Sequence, residues 1–140
     1  MNEPKILIRY KSHYENELKN SLSSVDSQAY SMLRYCMGWE DIEGDLIDSH
    51  SGKGLRPSLC LFVSDATGTR LHLAAKVATS IELIHNFSLV HDEIQDLDEM
   101  RHHRPTLWTI WGKGKSLIAG NLMQIAAHNT INLIDFGDES

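Results

Sequence analysis

Apolar residues recur at three- and four-residue steps along most of the chain and almost nowhere alternate, a pattern that predicts helices rather than sheet. Ile6, Leu7, Tyr10, Tyr14 and Leu18 keep that step after Pro4, a residue suited to a first turn, and predict a helix to about residue 20. A second helix is predicted over 27–37, with Gly38 as its left-handed terminator. Residues 39–54 mix acids, Gly and Ser without a period and read as a loop. The third helix has Pro57 in its first turn, the apolar block 59–63 on its core face and Gly68 at its stop. From 70 to about 98 there is no Gly or Pro. Ala74, Val77, Ala78, Ile81, Ile84 and Ser88 form a stripe there at i, i+3, i+4, i+7, the mark of a long helix packed against neighbours. Pro105, Gly112 and Gly114 break the next stretch, Ser116 is placed to cap a last helix through 134, and 137–140 form a polar end. The expectation is one all-α domain over 1–140, of about five helices.

Composition narrows the function classes. The 140 residues are 41% hydrophobic and 23% charged, which suits one ordinary core. A formal net charge of −6 argues against nonspecific binding to nucleic acid or an anionic membrane, so an anionic ligand has to be met by a local cluster. No apolar run approaches the roughly 20 residues that span a bilayer. The first ten residues are charged and carry Pro4, unlike a targeting segment. Cys36 and Cys60 make no metal-type pair and read as reduced thiols. The expected location is the cytoplasm.

The chemistry concentrates in three clusters. Within the long predicted helix, Asp92 and Asp96 stand one turn apart, Glu99 falls near the same direction and His85 faces it two turns earlier. A solvated acidic surface is the bland explanation, since charge runs mostly face water. Against it, Phe87, Leu89, Val90 and Ile94 predict burial here, and buried carboxylates need cations. Such oxygen ligands suit Mg²⁺, which takes one or two carboxylates plus substrate phosphates. The second cluster, Gly52-Lys-Gly-Leu-Arg-Pro57, sets Lys53 and Arg56 at a helix start, as either a surface basic turn or a phosphate grip. The third, Arg101-His-His-Arg-Pro-Thr106, either balances the acids or clamps a metal-bound anion.

In this order and spacing the clusters resemble the polyprenyl synthetase family of trans-isoprenyl diphosphate synthases. The resemblance is carried by a GKxxRP turn at Gly52 to Pro57, ELxH at Glu82 to His85, an SLxHDDxxD-like run at Ser88 to Asp96, an arginine segment ending in RPT at Arg101 to Thr106, and Ala119-Gly120-Asn121 in place of an AGD. It covers residues from about 50 to 125 and implies a partial isoprenoid-synthase helical bundle. It further implies Mg²⁺ on Asp92 and Asp96, with Asp92, Asp96 and Arg101 as the catalytic set. Lys53, Arg56 and His85 would meet isopentenyl diphosphate, Arg101 the allylic diphosphate, and His102, in the place of the second arginine, would be a further substrate-binding residue. An aromatic at Phe87, with Ser88 beside it, either limits the product to the farnesyl or geranylgeranyl class, as the resemblance implies, or is an ordinary core residue.

Several positions depart from the family pattern. Glu93 replaces the second Asp, His102 the second arginine, Gly54 an Arg and Asn121 an Asp. A second aspartate-rich motif is missing from the sequence, so the chain reads as an N-terminal, truncated domain inactive alone. The alternatives are a noncatalytic partner subunit of a prenyl diphosphate synthase and a structural helical module with a merely solvated acidic face; the expected assembly is a homodimer or a hetero-oligomer with a full-length synthase.

Overall fold

The computed structural model describes residues 5–23, 27–47 and 54–134. Among them are six helices: α1 (Lys5–Leu22), α2 (Ser27–Cys36), α3 (Leu55–Ala66), α4 (Leu71–Asp96), α5 (Leu107–Trp111) and α6 (Lys113–Asn132). Between α4 and α5 lies an antiparallel hairpin of β1 (Met100–Arg101) and β2 (Arg104–Pro105), with Met100 opposite Pro105 and Arg101 opposite Arg104. The all-α expectation holds.

The long helix α4 is the axis of the fold and packs on α1, α3 and α6. In its first half Ala74, Ala75 and Ala78 are buried, and their small side chains let Tyr10, Tyr14 and Leu61 from α1 and α3 close over them. In its second half Leu83 and Val90 join Leu18, Leu33, Met123 and Ala127 from α1, α2 and α6. Each such Leu, Val or Met, fully buried, contributes about 1.5–3 kcal/mol relative to exposure. Buried Ser80 donates to the Ala127 carbonyl at 2.8 Å, so its hydroxyl is satisfied while it fixes α4 on α6. The expected helix stops at Gly38 and Gly68 both hold, with φ of 73° and 77°.

Four expectations need correction. The long helix ends at Asp96, because Leu97 turns left-handed (φ 60°) and Asp98 N–H returns to the Glu93 carbonyl at 3.0 Å. Ser116 does not cap α6. The helix starts earlier, at Lys113, and the Ser116 hydroxyl bonds back to the Gly112 carbonyl at 2.9 Å from inside it. The short α5 and the hairpin were not foreseen. Both His102 (φ 47°) and His103 (φ 63°) at the hairpin tip are left-handed, the backbone of a two-residue turn that Asn-Gly ordinarily supplies. Finally, of the block 59–63, Leu61 is buried while Leu59, Phe62 and Val63 are exposed, as are Val77, Ile81 and Ile84 of the α4 stripe. The seam between α1, α3 and α4 is narrow and uses small residues, so the larger aliphatics fall outside it.

Candidate active site

The end of α2, the second half of α4 and the hairpin enclose a cleft of about 230 Å³. Its walls include Tyr35 and Cys36, then Glu82, His85, Leu89 and Glu93, then Arg101, His102 and Arg104. The α4 residues lie three or four apart, so one helical face supplies them all. The hairpin is held over that face from both flanks. On one side the Arg104 guanidinium stacks on the Tyr35 ring at 4.0 Å and donates to the Tyr35 and Glu40 carbonyls at 3.1 and 2.8 Å. The Tyr35 hydroxyl donates to the Pro105 carbonyl at 2.7 Å. On the other side the Thr106 hydroxyl and the Trp108 indole N–H both donate to the Asp98 carbonyl at 2.8 Å.

Charge in the cleft is arranged by burial. Arg101 donates from Nη1 to Glu93 Oε1 at 2.9 Å. Glu93 is buried, and desolvation pushes its carboxyl above the usual range against the pull of Arg101. Burial likewise raises the Glu82 carboxyl, opposed by its hydrogen bond to Asn86 and by the Arg56 charge. For His85, burial lowers the pKa and the cations Arg56 and Arg101 lower it further, so the neutral ring is favoured. Cys36 is pushed up to about 12 by burial, which leaves an inert thiol. Both cysteines are free.

The structure brings some of the sequence-derived site residues together and sets others apart. Asp92 and Asp96, expected to be buried, are instead exposed on the last two turns of α4, because the apolar neighbours Val90 and Ile94 point to other sides of the helix. Glu99, expected beside them, lies beyond the helix end, where its carbonyl accepts the Thr106 N–H at 2.9 Å. Among the described residues no three His, Cys, Asp or Glu side chains converge on one metal position. Arg56 is exposed in the first turn of α3, close enough for its charge to act on both Glu82 and His85. Lys53 lies outside the described residues. Arg101, expected to stand ready for an anion, is engaged by Glu93, and His102 sits exposed at the turn tip. The Ser88 hydroxyl bonds back to the His85 carbonyl at 2.7 Å. Phe87 meets the His91 ring edge-on at 4.5 Å. It faces Gly120, where a Cβ would stand 3.6 Å from its ring, so it lies between α4 and α6.

Sequence reasoning missed the holders of the site. Glu93 stood out only as a longer side chain than the expected Asp, Arg104 reads in the sequence as balancing acids or clamping an anion rather than holding Tyr35 and Glu40, and those two gave no signal, since their contacts join residues 64 to 70 positions apart.

The profile of the polyprenyl synthetase family matches residues 44–138. The chain belongs to that family. It is 40% identical over 114 residues to a (2E,6E)-farnesyl diphosphate synthase of Mycobacterium bovis, a match covering 81% of this chain and 32% of the relative. It is 32% identical over 110 residues to a geranylgeranyl diphosphate synthase of Mycobacterium tuberculosis, covering 79% of this chain and 31% of that one. Among solved structures, a polyprenyl synthetase from Streptomyces coelicolor superposes with a TM-score of 0.85 at 29% identity, over 92% of this chain and 38% of that one. The chain therefore spans about a third of the length of the curated relatives it matches. No helix among its described residues is long and apolar enough to cross a membrane.

Proposed function

We propose that this family member carries the isopentenyl-diphosphate site and the first Mg²⁺ site of a prenyltransferase that joins isopentenyl diphosphate head-to-tail to an allylic diphosphate in the cytoplasm. One juxtaposition supports this above all: His85 and Arg101 line one cleft, the Arg56 charge also acts on His85, and Asp92 and Asp96 stand exposed further along the same helix.

Arg56 stands at a helix N-terminus, where unpaired backbone N–H groups already favour an anion, and its fork suits phosphate oxygens. His85, held neutral, offers one ring N–H to the same anion without adding charge. Arg101 reaches the cleft from the hairpin, with Glu93 fixing its side chain. Two exposed carboxylates one turn apart fit Mg²⁺, an ion that fills its remaining positions with waters and substrate phosphates. Bound there, Mg²⁺ would neutralise the allylic leaving diphosphate. In the condensation the allylic C–O bond breaks, the isopentenyl double bond attacks the allylic carbon, and a proton is lost to form the new alkene. The side chains position both substrates and exclude water. Phe87, with Ser88 beside it, is the proposed limit on the prenyl tail, for a product of the farnesyl or geranylgeranyl class.

A second reading, a noncatalytic partner in a hetero-oligomer with a full-length synthase, draws on His102 standing where the family has an arginine and on Arg101 being held by Glu93. Calorimetry with isopentenyl diphosphate, followed by turnover with geranyl diphosphate and Mg²⁺, tests both. Binding that Arg56→Ala abolishes supports the site. Absence of binding overturns the site, and co-purification with a full-length synthase without binding of isopentenyl diphosphate favours the partner reading.

A further inference from the structure

Resting on that reading of the Arg56–His85 cleft, we infer that Tyr14 of α1 is a positioning residue for the diphosphate, matched to the glycine at position 54. Gly54 immediately precedes α3, is buried and has φ +56°, a left-handed backbone that a larger residue adopts only at a cost. What lies against it is the Tyr14 side chain. A Cβ on Gly54 would run into the Tyr14 hydroxyl and stand 2.9 Å from ring carbon Cζ. The family pattern has an arginine at this position, and here the tyrosine fills the space such a side chain would need. Gly54 in turn anchors the helix start, since its carbonyl accepts the Ser58 N–H at 3.0 Å, and Arg56 lies between the two.

Tyr14 also reaches α4, the helix that lines the cleft. Its backbone carbonyl accepts the hydroxyl of Thr79 at 3.3 Å, and Thr79 is fully buried on α4, one turn before Glu82 and under two turns before His85. One residue of α1 thus touches the start of α3 through its ring and the middle of α4 through its main chain. Those elements carry Arg56 on one side and Glu82 and His85 on the other. The distance across which Arg56 and His85 share an anion is thereby set from α1.

The test compares the affinity for isopentenyl diphosphate with thermal stability. Tyr14→Ala is expected to weaken binding about tenfold or more, the scale of loss when a charged partner is misplaced by an ångström. Tyr14→Phe keeps the ring on Gly54 and is expected to bind more tightly than Tyr14→Ala. Gly54→Ala is expected to weaken binding, and adding Tyr14→Phe to it to recover part of the loss by removing the closest clash. Leu18→Ala, a core truncation in the same helix away from the turn, is expected to lower Tm without moving affinity. The inference is overturned if Tyr14→Ala and Gly54→Ala lower Tm but leave affinity unchanged, as Leu18→Ala does, or if the two sites show no coupling. A wild type that fails to bind, or an Arg56→Ala variant that binds equally well, defeats the diphosphate reading itself and the inference with it.

Discussion

Arg101 of the hairpin and Glu93 of α4 form an ion pair at 2.9 Å in which the carboxylate is buried while the guanidinium keeps partial access to water. The asymmetry decides which partner matters more. Arg101→Ala strands a buried carboxylate and is expected to cost about 1–3 kcal/mol in urea unfolding, whereas Glu93→Gln leaves an arginine that can turn to solvent and costs less. Equal losses from the two variants would contradict the asymmetry.

The burial of Glu82 gives a pH signature. A carboxyl whose pKa is raised in the folded state binds its proton more tightly there, so its contribution to stability is present below the unfolded pKa of roughly 4.3 and is lost as pH rises through the folded value. His85, whose pKa is lowered, works in the opposite direction: stability falls as pH drops below roughly 6.5, because the unfolded ring takes up the proton first. Glu82→Gln is expected to flatten the acidic limb of a Tm-versus-pH curve, and His85→Asn the limb near neutrality. Curves parallel to that of the wild type would show that burial does not act on these groups.

Asp92 and Asp96 should separate function from stability. As like charges one turn apart on an exposed helix face they repel, so Asp92→Asn is expected to stabilise the fold by up to about 0.5 kcal/mol. The same change is expected to abolish Mg²⁺-dependent binding of an allylic diphosphate, read by calorimetry with and without the ion. Retained Mg²⁺ dependence in the double Asp92→Asn, Asp96→Asn variant would remove the metal assignment.

Gly120 of α6 seats the His91 ring, and a Cβ there would come within 2.7 Å of Cδ2 and Nε2. Gly120→Ala is expected to cost about 1–3 kcal/mol by overpacking, a loss that His91→Ala in the same chain partly recovers. Additive losses in the double variant would mean that the ring does not fill that slot.

At the hairpin tip two histidines hold a left-handed backbone that glycine adopts freely. His103→Gly is expected to raise stability by about 1 kcal/mol in thermal unfolding. A fall in Tm would assign His103 a contact that outweighs its backbone strain.

Much of the fold was legible because helices are local objects. The step of Leu7, Tyr10, Tyr14 and Leu18, the stops at Gly38 and Gly68, and the one-turn spacing of Asp92 and Asp96 all depend on neighbours within a few residues, so the sequence by itself determined them. Tertiary structure decided the rest. That α4 stops at Leu97 and drops Glu99 from the acidic face, that Arg101 answers to Glu93, and that Arg104 is tied to Tyr35 and Glu40 follow from a hairpin laid across the bundle. Which aliphatics of α3 and α4 are buried depended on where the narrow seam of alanines closed. Periodicity tells a side chain which face of its own helix it shares, but only the packed chain determines what lies opposite, and burial, pairing and proton affinity are all set from that side.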